Sequence, residues 1–330
     1  MTQTHKRCAA FAVGAVLVVA GMLVSVSVGA KDIPLSDVLG AIFNYDEGQL
    51  DHILVRDSRL PRTLCAALVG AVLALSGAMM QGVLKNPVAE PSIMGVNQGA
   101  TLMVAISMVS SLAGGVLGNF AMALVGAAVT GGLLLLFTMS NSANQSMARI
   151  LLAGTAMSTF FLALATVVGL LGGRSQELAF WVAGGLRQTG WTQVLVLLLV
   201  GGAFSALAFA WAGKVNVLNL GDDFACGLGL RPQRVKMQVI AMIVPLCGVA
   251  VAVAGNIGYI GLFVPHILRR IVGSDYRVLM PASFVFGAAV LVWADIAARM
   301  VMAPYELPVG LFTAIIGVPV FLLLVRGEKH

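Results

Sequence analysis

The sequence predicts an all-α polytopic membrane protein with about ten transmembrane helices, and three observations predict it. Of 330 residues, 59% are hydrophobic and 10% charged, against roughly 25% charge in a soluble domain. With a mean hydropathy of +0.96, a chain of this length has too little polar surface to face water on all sides. Uncharged runs long enough to cross a hydrocarbon core, about 20 residues each, recur along the chain. Finally, two segments broken by glycine and proline occupy comparable places in the two halves, as in an inverted repeat of spans two to five and seven to ten.

The spans follow in order. Residues 8–30 form the first. His5, Lys6 and Arg7 precede it as in a signal peptide, but the apolar run is longer than a signal core. VSVGA (26–30) is also a poor cleavage site, so an uncleaved span is expected. Span two, 63–84, follows the polar segment 31–62. Pro91–Ala148 carries no charge and holds two spans, 92–112 and 117–139, broken around AGGVLGN (113–119). Spans five and six cover 150–173 and 191–213. The run 237–268 is too long for one span and contains Pro245, Gly255, Asn256, Gly258 and Pro265. It is read as a full span, 237–256, and a short broken one, 258–272. Spans nine and ten cover 278–298 and 307–325, completing a single transmembrane domain over 1–330.

Ten spans put both termini on one side. Placing them inside leaves the larger share of lysines and arginines inside, in the gaps after spans two, four, six and eight and at the two ends. The net charge of +6 therefore reflects topology and gives no reason to expect a nucleic-acid partner. Cys8, Cys65, Cys226 and Cys247 show no CxxC spacing, so neither a disulfide framework nor a zinc site is expected.

The repeat is visible when 68–95 is laid on 246–273 without a gap. Gly70 meets Gly248, Gly77 meets Gly255, Pro87 meets Pro265 and Gly95 meets Gly273. Glycine is abundant, at 38 residues, so some of these matches arise by composition. Such a repeat places Pro265 at a depth opposite to Pro87, near the outer face. Charge counting places Arg269 and Arg270 near the inner face. A short, steep eighth helix would reconcile the two.

Two polar segments stand out. The outer segment 31–62 holds six aspartate and glutamate residues, and Ser36-Asp37 before VLGAIF predicts a capped helix on the membrane surface. Arg56, Arg59 and Arg62 cluster just before span two. They read equally as interfacial anchors and as a docking patch for an acidic partner. The inner loop 214–236, KVNVLNLGDDFACGLGLRPQRVK, predicts a short helix opening at Gly221-Asp222-Asp223, where acids suit the helix dipole. Phe224, Leu228 and Leu230 give it an apolar face and Pro232 ends it. That face rests either on lipid headgroups or in the groove of a cytoplasmic partner.

No catalytic constellation is present: the chain has no GxxxxGK[ST], no HExxH and no Ser/His/Asp set, and its four histidines are isolated. It is therefore read as a non-enzyme without a nucleotide site of its own. The acids near the spans are few, with Asp295 and Glu306 at span ends and Glu90 beside Pro91. A pathway with so few internal acids draws its energy from elsewhere.

Five blocks carry a resemblance: RLPRTL (59–64), SGAMMQGVLKNPVAEPSIMGVNQGA (76–100), GYIGLFVPHILRRIVGSDYRVLMP (258–281), ADIAARM (294–300) and ELPVGLFTAIIGVPVFLLL (306–324). In this order they resemble the FecCD family, the membrane subunits of ABC importers for iron–siderophore complexes, haem and vitamin B12. The resemblance implies a ten-helix permease of BtuC-like fold in a bacterial cytoplasmic membrane. It pairs with a second permease chain, identical or homologous. Two ATPase subunits below carry ATP and Mg, this chain binding no cofactor directly, and a solute-binding protein docks outside.

The resemblance also implies roles. Arg59, Arg62 and Arg299 match outer arginines that pair with glutamates of the binding protein, with Arg56 nearby. Leu220, Asp222, Asp223, Phe224, Leu228, Leu230 and Arg231 match the coupling helix that sits in the ATPase. Pro265, His266 and Arg269 match a PHxxR block at a broken helix by the pathway. Gln81, Asn86, Pro87 and Glu90 are candidates for the same pathway in the first half. His266 is read as a structural hydrogen-bonding residue. A metal ligand is disfavoured, since no second His, Cys or acid lies at ligand spacing. NPVAEPSIMGVNQGA favours ferric siderophore as cargo. Haem or cobalamin is the alternative within the family, and a stand-alone secondary carrier the alternative outside it.

Overall fold

The computed structural model describes residues 3–29, 31–110, 115–140, 147–187 and 189–327, and among them there is helix but no strand. Ten longer helices form the bundle. α1 is Gln3–Ser27, α4 Leu60–Leu84, α5 Val96–Ser110, α6 Gly115–Ser140, α7 Met147–Leu171 and α10 Gly202–Leu220. Then come α12 Pro232–Ala254, α13 Ile260–Val272, α14 Tyr276–Met300 and α15 Val309–Gly327. The short helices are α2 Leu35–Phe43, α3 Leu50–Leu54, α8 Ser175–Ala183, α9 Trp191–Val196 and α11 Asp222–Gly227. α3 runs into α4 through a π-helical turn, Val55–Arg59, and α9 into α10 through another, Leu197–Gly201.

Among the described residues, seven helical stretches are long and apolar enough to cross a membrane, and Val96–Ser110 and Val309–Leu323 are shorter apolar helices. The all-α membrane fold read from the sequence is thus what the chain adopts. Part of the break expected at 113–119 lies outside the described residues. Span six continues as helix to Leu220, so the inner loop is shorter than 214–236.

Burial sorts the helices. The apolar windows of α4, α12 and α14 are mostly buried by protein, whereas those of α1, α7 and α9–α10 are mostly not. In lipid, helices associate by close packing, and glycines set the distance. A Cβ on Gly70 would lie 2.2 Å from the Gly287 carbonyl oxygen, and one on Gly77 would lie 1.9 Å from that of Gly261. These crossings lock α14 and α13 onto α4.

The two halves share a pattern. A long helix (α4, α12), a break, a short helix (α5, α13) and two further helices follow one another in each. α4 packs on α13 and α14, and α12 correspondingly packs on α5 and α6. The ungapped residue register does not survive, however. α12 stops at Gly255, whose φ of +66° opens the break, while its counterpart Gly77 lies mid-helix in α4.

Depth is corrected with it. Pro87 follows the end of α4, and Pro265 lies one turn from Arg269, which donates to Gln81 near that same end. Both prolines lie toward the end of the bundle where α1 begins, hereafter the lower end. The expected capped surface helix also changes in detail. α2 starts at Leu35 behind Pro34, and the Ser36 hydroxyl bonds the Asp37 carboxylate instead of capping.

Candidate functional site

Three clusters hold the residues singled out above. At the upper end, where α1 terminates, Arg62, Arg299 and Arg187 meet two acids, Asp295 and Glu306. Asp295 is fully buried on α14. Arg62, from the first turn of α4, approaches one Asp295 oxygen with Nη2 at 2.9 Å and Nε at 3.1 Å, and Glu306 with Nη1 at 2.8 Å. Arg299, one turn along α14, has Nε 3.1 Å from the other Asp295 oxygen, an ion pair without hydrogen-bond alignment. Its Nη atoms donate to the Val28 and Ser25 carbonyls and the Ser25 hydroxyl.

Arg59 is 7% exposed and donates to the carbonyls of Val26, Ser27 and Lys31, closing the open end of α1. Only Arg56 is exposed, with its guanidinium 4.3 Å above the Tyr45 ring. The resemblance pairs Arg59, Arg62 and Arg299 with glutamates of a binding protein; within the chain alone each already has partners. A helix end with orphan carbonyls and a buried carboxylate claim them first. Arg187 joins the rim, 3.5 Å from Glu306.

Mid-bundle, the two breaks meet directly and form one side of a cavity of about 970 Å³, which residues of α7 and α15 also line. Glu90, Gln98, Asn256, Tyr259 and Leu311 contribute to its walls. The Glu90 carboxylate accepts from the backbone N–H of Tyr259, the residue before α13, which sits at a φ of +72°. Asn97, at the start of α5, donates to Asn256 in the other break at 2.8 Å. Gln81 is buried and donates to the carbonyls of Gly261 and Leu262. Arg269 donates to Gln81 and, at 3.3 Å, to the Tyr276 hydroxyl.

Asn86 accepts from the N–H of Val88, shaping the turn that carries Pro87. His266 departs from expectation. Neither ring nitrogen has a hydrogen-bond partner among the described residues. Among these residues no three His, Cys, Asp or Glu side chains gather as a metal site.

The lower end holds α11. Asp222 and Asp223 occupy its first turn, yet neither caps it. Instead Asp222 accepts from Lys85 at 2.9 Å and from Lys236 at 2.6 Å. Partial burial pushes the Asp222 carboxyl up, but the two lysines outweigh it and hold it below the usual carboxylate range. Leu220, Phe224 and Leu228 are each at least 60% exposed, and Arg231 is exposed too. Leu230 packs against the core, so it leaves the apolar face, and Pro232 opens α12.

Sequence reasoning missed the roles of Asp295, Glu306, Arg187, Lys85 and Lys236. One signal was available, an acid and a base one turn apart (Asp295 and Arg299) at the end of an apolar helix.

A sequence profile of the FecCD transport family matches residues 8–327. The iron(3+)-hydroxamate import system permease protein FhuB of Bacillus subtilis (strain 168) is 44% identical over 100% of this chain and 86% of its own length. The Fe(3+)-citrate import system permease protein YfmD of the same organism is 36% identical over 99% and 97%. Among solved structures, an inward-facing metal-chelate type ABC transporter superposes with a TM-score of 0.83 at 26% identity, over 95% of this chain and 97% of that one. Family profile, full-length relatives and fold agree: the chain belongs to the FecCD transport family.

Proposed function

We propose that this chain is the membrane-spanning permease subunit of an ABC importer that moves ferric-siderophore complexes into the cytoplasm. The observation that carries the reading is the 970 Å³ cavity beside the two joined breaks, in a chain 44% identical to a ferric-hydroxamate permease. That volume lies at the upper end of the usual range for ligand sites, roughly 300–1,000 Å³. The lower end faces the cytoplasm, with both termini. There the Leu220–Phe224–Leu228 face of α11 docks one of two ATPase subunits, which hold ATP and Mg. Arg56 and the Arg187–Glu306 rim face outward toward a solute-binding protein. A second permease chain, identical or homologous, completes the pathway.

Uptake of labelled ferric siderophores, haem and cobalamin, compared in cells with and without this chain, tests the cargo. Deletion should abolish uptake of one ferric siderophore. Loss of haem or cobalamin uptake instead overturns the cargo. Uptake that survives loss of the ATPase and collapses with the ion gradient overturns the importer.

A further inference from the structure

The two lysines on Asp222 come from different helices. Lys85 ends α4 in the left-handed conformation, at a φ of +50°, and Lys236 lies in the first two turns of α12. Each takes a separate oxygen of the carboxylate. The partners are partly exposed, the Asp222 side chain at 46% and Lys85 at 36%. Such a pair adds little to stability. What it supplies is a polar link from α11 to the end of α4 and the start of α12, beside the buried Ala225 that seats α11 on the core.

From Lys85 the connection continues in the backbone. The turn at 86–89 is closed by Asn86, which accepts from the N–H of Val88 and, through its carbonyl, from that of Ala89. Glu90 then holds the N–H of Tyr259 at the head of α13, and both residues line the cavity. α11 and the cavity wall are therefore joined by one ion pair, one tight turn and one carboxylate clasp.

We propose that Asp222 is a positioning residue that hands movement of α11 to the 85–90 turn through Lys85, and so to the Glu90–Tyr259 clasp at the cavity. Lys236 anchors the same carboxylate to α12, so α4 and α12 are driven together. This rests on the importer reading above, in which α11 sits on an ATPase.

The test uses the complete transporter, with its ATPase subunits and binding protein, in proteoliposomes, with ferric hydroxamate as the probe. ATP hydrolysis and import are measured on the same vesicles. Lys85→Met should assemble and hydrolyse ATP at a rate within about twofold of wild type, while import per ATP falls about tenfold, a change worth about 1.4 kcal/mol; Asp222→Asn should lower import per ATP likewise. Lys85→Arg and Asp222→Glu, which keep the charges, should restore the ratio. A merely structural pair would lower assembly and hydrolysis along with import.

An unchanged import ratio in Lys85→Met overturns the proposal. So does failure of Lys85→Arg to restore the ratio, or loss of ATPase assembly in Lys85→Met, which would put Lys85 in the docking contact instead. Phe224→Asp separates the two levels. If it stops import while Lys85→Met does not, only the handover fails. If Phe224→Asp imports normally, the placement of α11 on the ATPase fails.

Discussion

Asp295 carries more of the upper end than any other single side chain. It is fully buried and faces the guanidinium groups of Arg62 and Arg299, neither of which has another carboxylate as deep. Removing one partner of a buried ion pair leaves an uncompensated charge and costs about 3–5 kcal/mol. Asp295→Ala should therefore lower the thermal midpoint of the detergent-purified chain sharply, whereas Glu306→Ala, at a partly exposed rim, should lower it far less. Equal melts for the two would remove Asp295 from this role. At the lower end, Asp275 caps α14 and accepts from Asn216 at 2.7 Å. The Asn216 amide leads in holding its carboxyl below the usual range, and partial burial opposes it. With the folded pKa below the unfolded value of about 3.9, the charged form stabilises the fold above about pH 4, and this is lost as pH falls through the folded value. The stability gap between wild type and Asp275→Asn should be about 1 kcal/mol at pH 7, the margin of a charged over a neutral acceptor. It should close below about pH 4, and chemical denaturation at several pH values reads it directly. Little of this was legible in sequence, because a lone acid at a span end carries no sign of which cations fold onto it.

At the level of elements, the break between long and short helices is the fold's main device, and it depends on close backbone approach. Gly77 leaves no room for a Cβ, and the obstacle is the Gly261 backbone, which cannot rotate away. Overpacking of this kind costs about 1–3 kcal/mol or more. Gly77→Ala should thus weaken the α4–α13 contact and loosen Gln81 from the Gly261 and Leu262 carbonyls. Gly202→Ala on α10 meets nothing within 4 Å and should stabilise the helix by about 0.5–1 kcal/mol. Thermal melts of the two variants moving in the same direction would contradict this packing account. The sequence showed the breaks themselves, since Pro87 and Gly255 interrupt apolar runs, whereas Pro265 lies inside α13. It misled about their register, because glycine is abundant enough to align without structural equivalence. The equivalence lies in packing, in which α4 and α12 exchange roles, and packing is not a property of residue spacing. The face of α11 was half legible for a similar reason. Helical periodicity groups Phe224, Leu228 and Leu230, but the turn after Gly227 folds Leu230 back onto the core.

At the scale of the whole molecule, charge is divided by end and by depth. Sequence and family resemblance place the outer arginines in one group, but the fold separates them. Arg59 closes α1, Arg62 and Arg299 neutralise Asp295, and Arg56 stays in solvent. In the proposed orientation, an acidic partner arriving from outside meets Arg56 and the half-exposed Arg187 before it meets any buried cation. Exposed charges of this kind act mainly on encounter rate and salt dependence. Arg56→Glu should accordingly slow association of the binding protein by about tenfold at low salt, with little effect above about 0.5 M, where the Debye length is only a few ångströms. The melt should not change. Arg59→Glu should do the opposite: it drives a carboxylate against three carbonyls at the end of α1, so the melt falls and any loss of docking follows from that loss of structure. Surface plasmon resonance at two salt concentrations, beside a melt of each variant, distinguishes the two residues. If Arg59→Glu keeps its melt and loses docking in a salt-dependent way, that guanidinium leaves the α1 carbonyls to meet the partner. The upper end would then rearrange on docking, and the closure of α1 by Arg59 would belong only to the undocked state.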